Sequence, residues 1–167
     1  MGEIINKVAE SGLITLDLEQ FFPKEEVVEF DIKDFLFMEM LLKEKEFREQ
    51  LEQYDWSIYK DKIAAVYCST DAIIPMWAFM LVSTKLSPYT KEVLLGNKKA
   101  VIDKCIEKKI EELNVDQFKD KRVVVKGCGD VEISPSAYLS ISNKLLPFVK
   151  SLMYGEPCST VPVYKKK

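Results

Sequence analysis

The sequence predicts an α/β fold, a three-layer sandwich around one mainly parallel sheet. From Lys62 onward, short apolar runs typical of buried strands alternate with longer segments whose apolar residues recur at helical spacing. The length of 167 residues fits one domain, and 47% hydrophobic with 31% charged residues is ordinary for a globular protein. We expect a single domain over 1–167, made of an N-terminal extension (1–60), an α/β core (61–154) and a tail (155–167).

The extension carries the weaker patterns, and we expect it to add to the edge or the face of the sheet. Pro23 marks a turn within it. The predicted elements are a short helix at 3–10, strands at 13–18 and 27–32, and a helical segment at 33–54.

The α/β core opens with Ile63–Tyr67, a continuous apolar run that suits a strand covered on both faces. The elements predicted after it are a helix at 72–84, a strand at 91–95, a helix at 98–113, a strand at 123–125, a helix opening at Ser134-Pro135 and a strand at 149–154. This alternation is the sequence form of parallel strands joined by right-handed crossovers. In the commonest small arrangement, the strands at 63–67 and 123–125 lie side by side and the strand at 91–95 lies outside the first.

Composition and charge exclude several classes of function. The formal charge of −3 comes from mixed signs without a basic stripe, so nucleic acid is not an expected partner. No apolar run approaches the roughly 18 residues that a membrane span needs, and no export signal opens the chain. We therefore expect a cytoplasmic protein with no membrane partner and with reduced thiols. No period of 20 to 50 residues repeats, and the absence of histidine excludes Ser-His and Cys-His nucleophiles.

The cysteines carry the leading functional hypothesis. Cys68 ends one predicted strand, Cys128 follows another, and Cys158 lies just beyond the last. Because parallel strands end at one edge, where open α/β folds bind ligands, the three thiols would meet there. With a carboxylate from Asp71 or Asp130, they would hold zinc or an iron–sulfur cluster. The protein would then be a metal- or iron–sulfur-binding accessory, with homo-oligomers as an open possibility.

Two hypotheses of other classes stay open beside it. In a thiol-dependent enzyme, Cys68 would be the nucleophile, activated by a helix N-terminus that Thr70 or Asp71 caps, while the glycine turn around Cys128 would bind an anion. In a non-catalytic interaction or structural domain, the cysteines would be buried small hydrophobes, as we expect for Cys105 inside a helix. Three tyrosines are further candidates for a pocket mouth: Tyr138, Tyr154 and Tyr164.

Four stretches together resemble a known bacterial family: INKVAESGLITLDLEQFFP, VYCSTDAIIPMWAFML, VVVKGCGD and the closing GEPCSTVPVYKKK. The family is the domain of unknown function DUF2480, and the resemblance covers essentially the whole chain. It implies a single compact domain and, as partners, iron–sulfur assembly proteins. It implies no activity, so it leaves open whether the protein is an enzyme.

Overall fold

A computed structural model of the chain describes residues 6–8, 12–127, 129–156 and 158–167. The strands are β1 (Asn6–Val8), β2 (Leu13–Asp17), β3 (Val27–Asp31), β4 (Ile63–Tyr67), β5 (Glu92–Leu95), β6 (Arg122–Lys126), β7 (Ser151–Glu156) and β8 (Ser159–Lys165). The α-helices are α1 (Glu44–Gln53), α2 (Met76–Leu86), α3 (Lys98–Glu111) and α4 (Pro135–Leu145). Among the helices of the described residues, none has the length and apolar character that crossing a membrane requires. Helices mixed with parallel strands confirm the predicted α/β class.

The strands form two sheets and belong to two compact units. The outer unit joins the residues up to Pro23 to Asp103–Lys167, and the inserted unit is Lys24–Ile102. The sheet of the outer unit has the order β1-β2-β6-β7-β8, in which β2, β6 and β7 are parallel and the two edge strands are antiparallel. The sheet of the inserted unit is fully parallel, with the order β3-β4-β5. That the two units act as one domain stays a prediction.

The predicted strand order is wrong at its centre, because β4 and β6 lie in different sheets. Each of these strands is buried along its apolar run, so each needs hydrogen-bonded neighbours on both edges. The N-terminal third supplies one neighbour to each, since β3 pairs with β4 and β2 pairs with β6. The extension thus adds strands to both sheets.

Three local predictions also need correction. The predicted tail contains β8, which returns antiparallel along β7, with Pro162 tolerated because it lies in an edge strand. Within the predicted helix at 3–10, residues 6–8 form a strand and the others lie outside the described residues. The helix predicted over 33–54 is reduced to α1, because Met38 and Glu39 have left-handed φ values of 51° and 59° that interrupt it.

The two units repeat the same set of elements. Adding 59 to a residue number carries 44–97 onto 103–156, so that β4, α2 and β5 correspond to β6, α4 and β7. Lys60-Asp61-Lys62 recurs as Lys119-Asp120-Lys121, and both aspartates are left-handed, with φ of 59° and 57°. The strand registers agree as well, because Ile63 pairs with Glu92 and Arg122 with Ser151. The spacing exceeds the 20 to 50 residues of common solenoid repeats, so a search at those periods misses it.

The first strands of the two units correspond at a different offset. LITLDLEQFF, from residue 13, aligns with VVEFDIKDFL, from residue 27. In each, an aspartate ends the strand and caps a single 3-10 turn: Asp17 Oδ1 accepts from the Glu19 amide and Asp31 Oδ1 from the Lys33 amide, both at 3.0 Å. The chain therefore enters the outer unit, completes the inserted unit, and returns to finish the outer unit.

The inserted unit has an aromatic core centred on Phe30. Its ring centroid lies 4.8 Å from that of Phe35 and 5.3 Å from that of Trp56, both in stacked orientation. Trp56 Nε1 donates to the Leu51 carbonyl at 2.9 Å, which satisfies its polar end. The outer unit has smaller aliphatic side chains at two corresponding positions, with Leu16 in place of Phe30 and Val115 in place of Trp56.

Gly155, which precedes the turn between β7 and β8, offers a sharp test of the outer-unit fold. Its φ is +117°, and a Cβ added there would lie 2.6 Å from the Ser159 carbonyl oxygen. We expect Gly155→Ala to lower the free energy of unfolding by about 3 kcal/mol in urea denaturation, from backbone strain and the contact together. Gly12→Ala is the matched control, because its φ of +64° brings strain but no atom lies within 4 Å of the added Cβ; it should cost about 1 kcal/mol. Equal costs would contradict the described turn.

Candidate functional site

The structure does not gather the cysteines at the edge of one sheet. Cys68 follows β4 in the inserted unit, whereas Cys158 lies between β7 and β8 in the outer unit. Cys128 lies outside the described residues. Cys68 is half-buried, with Sγ 3.5 Å from the Thr70 carbonyl oxygen, and Cys158 is exposed. The expectation that Cys68 and Cys158 share one sheet edge is wrong, and a metal site that includes these thiols stays a prediction.

The helix N-terminus expected to activate Cys68 is not beside it. The helix predicted from residue 72 begins at Met76, with Pro75 as its N-cap residue and no side-chain cap. A proline disfavours helical geometry in the residue before it, which explains the late start. Thr70 and Asp71 therefore cap no helix, and the effect of a helix dipole on the thiol is lost.

The carboxylates proposed as metal ligands are both exposed: Asp71 precedes α2, and Asp130 follows Gly129. In the part of the chain that the structure describes, no three Cys, Asp or Glu side chains come together as a metal-binding group. Cys105 is buried in α3, as predicted for a structural cysteine.

A polar cluster at the carboxyl end of the inserted sheet is well satisfied by hydrogen bonds. Asp31 accepts from the Ser69 amide at 3.0 Å and from Ser69 Oγ at 2.5 Å. Burial alone would raise the pKa of Asp31, but the hydrogen bonds from Ser69 and Lys33 outweigh it and hold that pKa below its ordinary value. Because its carboxyl oxygens already have partners, we interpret this cluster as a clamp between β3 and the loop after β4.

Glu29 extends this clamp to a neighbouring strand and helix. It accepts from the Tyr67 hydroxyl at 3.0 Å and from the Lys98 amide, at the start of α3, at 2.8 Å. The hydrogen bond to Glu29, followed by desolvation and the charges of Glu29 and nearby carboxylates, raises the pKa of Tyr67 to about 12. A phenol held neutral in this way is suited to donating a structural hydrogen bond.

The corresponding edge of the outer unit carries charged side chains, and Cys128, the counterpart of Ser69, lies outside the described residues. Lys126 Nζ lies 3.9 Å from Asp17 and 3.6 Å from Glu156, both long ion pairs. Glu19 Oε1 is buried without a hydrogen-bond partner among the described residues. Gly129 lies beside it, and a Cβ added there would displace the Glu19 carboxyl.

The outer unit contains a largely apolar groove beside α4, with a volume of about 530 Å³. The groove is lined by Val125, Ile133, Pro135, Tyr138, Leu139, Ser142, Leu152, Met153, Tyr154 and Val163. Its walls come from Ile133 and α4, from Val125 near the end of β6, from the middle of β7, and from β8. The volume lies within the range of protein binding sites.

Tyrosine rings and an exposed leucine define the mouth of the groove. The ring centroids of Tyr138 and Tyr154 lie 5.8 Å apart in an edge-to-face contact. Leu139 is 68% exposed and Val163 is 59% exposed, so the groove opens widely to solvent. Gly127 allows the Tyr138 hydroxyl to approach the end of β6, because a Cβ there would overlap that oxygen. Of the three tyrosines predicted for a pocket mouth, Tyr138 and Tyr154 line the groove, while Tyr164 is not among its lining residues.

The sequence contains one signal for this groove that the cysteine hypothesis overlooks. The predicted inner stripe of α4, Ala137, Ile141 and Leu145, is buried. Leu139 lies off that stripe, and an apolar residue on the outer face of an amphipathic helix can mark a contact surface. The other groove residues are spread over several elements, and their spacing in the sequence does not predict that they form one site.

Comparison with known proteins identifies the family of the chain. Residues 2–166 match the family described as protein of unknown function (DUF2480), which confirms the resemblance seen in the sequence. No curated protein and no solved structure matches the chain.

The clamp makes a prediction about stability in acid. A folded-state pKa below the unfolded value of 3.8 means that the ionised Asp31 carboxyl stabilises the fold above that pH and that this contribution disappears as the pH falls through the folded pKa. Ser69→Ala should lower the free energy of unfolding at neutral pH, and its difference from wild type should shrink below about pH 4. Urea denaturation across pH measures this. In the control Ser87→Ala, the lost bond is to the Ser83 carbonyl, so the difference should not depend on pH. A pH-independent effect of Ser69→Ala would refute the clamp.

Proposed function

The chain belongs to the DUF2480 family, whose description assigns no function, and we propose that it is a non-catalytic interaction domain that binds an apolar segment of a partner polypeptide in the outer-unit groove. One observation carries the proposal: a wide groove lined mainly by apolar side chains, with exposed Leu139 and Val163 on its walls. Monomeric domains rarely leave such surfaces uncovered without a binding role.

The shape of the groove favours a polypeptide over a small molecule. Small-molecule sites generally enclose most of the surface of their ligand. A groove whose walls are more than half exposed at Leu139 and Val163 leaves one side of any occupant in water. A peptide segment fits that geometry because it places alternate side chains in the groove and keeps its other face in solvent.

The chemistry of the walls sets the expected specificity. Leu139, Met153 and Val163 offer apolar contacts, whereas Tyr138 and Ser142 supply hydroxyl groups. Burying one Leu, Met or Phe side chain contributes about 1.5–3 kcal/mol, so several such anchors are needed to offset the cost of association. We expect the bound segment to carry Leu, Met or Phe as anchors.

Binding by a metal or iron–sulfur species is the second hypothesis. It is supported by the exposed Cys158 and the half-buried Cys68, thiols that a metal ion can reach from solvent. No three of the described members of the predicted ligand set, Cys68, Cys158, Asp71 and Asp130, come together, so this hypothesis rests mainly on Cys158, with iron–sulfur assembly proteins as the partners. The thiol-enzyme alternative has less support, since Cys68 lacks the helix N-terminus on which it depended.

The groove is tested with peptides selected from a displayed random library on the wild-type protein alone. We expect the selected peptides to bind Leu139→Asp about tenfold or more weakly in fluorescence anisotropy, because a carboxylate replaces an apolar wall. Met80→Asp is the matched control: Met80 corresponds to Leu139 in the inserted unit and is also 68% exposed. Equal affinity for wild type and Leu139→Asp, or no selected peptide, would refute the groove as a binding site.

The metal hypothesis makes a separate prediction for protein purified without oxygen. It expects stoichiometric zinc or iron by elemental analysis, with visible absorption for a cluster, and a reduced metal content in Cys158→Ser. Cys105→Ser is the control, because Cys105 is buried within α3 and should not alter metal content. Metal-free wild-type protein would refute this hypothesis and would not affect the proposal that the groove binds a polypeptide.

A further inference from the structure

A short loop of the inserted unit displays apolar side chains to solvent. We name residues 37–41 the apolar tip; it lies between the 3-10 turn at Ile32–Phe35 and α1. Met38 is 77% exposed, Met40 is 70% exposed, and Phe37 and Leu41 are also exposed. So many exposed large hydrophobes in five consecutive residues mark a contact surface.

The backbone of the apolar tip is held in place at both ends. The Phe37 amide donates to the Leu41 carbonyl at 2.8 Å, and the Leu41 amide donates back to the Phe37 carbonyl at 3.1 Å. Between them, Met38 and Glu39 have φ values of 51° and 59°, a conformation that costs a side chain roughly 1 kcal/mol or more at each position. The loop is thus preorganised in a conformation that glycine would adopt more easily, which lowers the entropy cost of docking.

The repeated fold does not require this tip. In the outer unit, the position of Leu36 is taken by Phe22, and Pro23 follows at the unit boundary. The matching elements therefore fold without an equivalent of the apolar tip, although both units carry the 3-10 turn before it. Because the apolar tip is strained and exposed and the shared fold forms without it, we infer that it takes part in binding.

We propose that the polypeptide bound in the groove is the apolar tip of a second copy of this chain. The inference rests on the proposed function and names its partner. Met38 and Met40 are unbranched and adaptable side chains, which suits them to an irregular apolar groove. The groove volume of about 530 Å³ gives room for more than one of them.

Charge near the two surfaces favours the same pairing. Helix α1, which begins three residues after the tip, carries Glu44, Glu46, Glu49 and Glu52 against Lys45 and Arg48. Lys43, between the tip and the helix, has its Nζ 3.6 Å from the centroid of the Phe37 ring. Arg48 is itself engaged by Glu44, at 3.1 Å. On the other side, β8 lines the groove through Val163 and continues into Lys165, Lys166 and Lys167. An acidic helix beside the tip and a basic end beside the groove attract each other between copies, so added salt should weaken the contact.

The contact is head-to-tail, because the tip and the groove are different surfaces of one chain. Such a contact generates closed rings or open chains of copies rather than a two-fold dimer. A chain without a working tip can still receive a partner, and a chain without a working groove can still donate its tip. A variant with a defective tip and a variant with a defective groove should therefore form a complex of two chains, which cannot add a third.

Sedimentation velocity on the full chain tests the proposal. Wild type should show a sedimentation coefficient that rises with concentration and falls with added salt. Met38→Gly/Met40→Ser should associate at least tenfold more weakly while its melting temperature is unchanged or higher, because glycine suits the φ of 51°. Leu139→Asp alone should also be monomeric, whereas Met80→Asp should behave as wild type.

An equimolar mixture of Met38→Gly/Met40→Ser with Leu139→Asp should form a complex of two chains and nothing larger. Wild type that stays monomeric at all concentrations, either single-surface variant that associates like wild type, or a mixture that does not pair would each overturn the proposal. Peptide binding in the groove is measured separately. If peptides still distinguish wild type from Leu139→Asp while the chains do not associate, the groove keeps its proposed function and only the identity of the partner fails.

Discussion

The buried central strand of each unit is the constraint on which the rest of the structure depends. Ala64-Ala65-Val66 in β4 and Val123-Val124-Val125 in β6 are buried, so neither strand can lie at a solvated edge. Each obtains two parallel neighbours, and the N-terminal third of the chain supplies one of them. Because parallel neighbours require crossovers, the helices and the loops at the carboxyl ends of the strands follow from this pairing.

Because the two units repeat the same arrangement, the elements that they share can be told apart from those that only one of them carries. The scaffold includes the Lys-Asp-Lys turns at residues 60–62 and 119–121 and the aspartates that end the first strands. The two units differ in what is added to the shared scaffold. Among the described residues, the outer unit adds β8, which forms part of the groove, and the inserted unit adds the apolar tip. Features present in one copy alone are the natural places to look for function, because the other copy folds without them.

Local patterns allowed much of the fold to be predicted, and long-range pairing accounts for the errors. The apolar runs at Ile63–Tyr67 and at 123–125 are recognisable as strands, and the stripe of α4 is recognisable as its buried face. Which strand pairs with which depends on contacts between distant residues, so one sheet was expected where two exist. The cysteine hypothesis inherited that error, whereas Tyr138 and Tyr154 were rightly placed at a pocket mouth.

Methyl NMR of the methionines tests the tip-in-groove contact most directly, because the chain carries its own controls among six methionines. Met38 and Met40 lie on the tip, Met153 lines the groove, and Met76 and Met80 are exposed on α2. On dilution, the account predicts that the methyl resonances of Met38, Met40 and Met153 move together while those of Met76 and Met80 stay fixed. Shifts confined to Met76 and Met80, or no change at all in Met153, would contradict it.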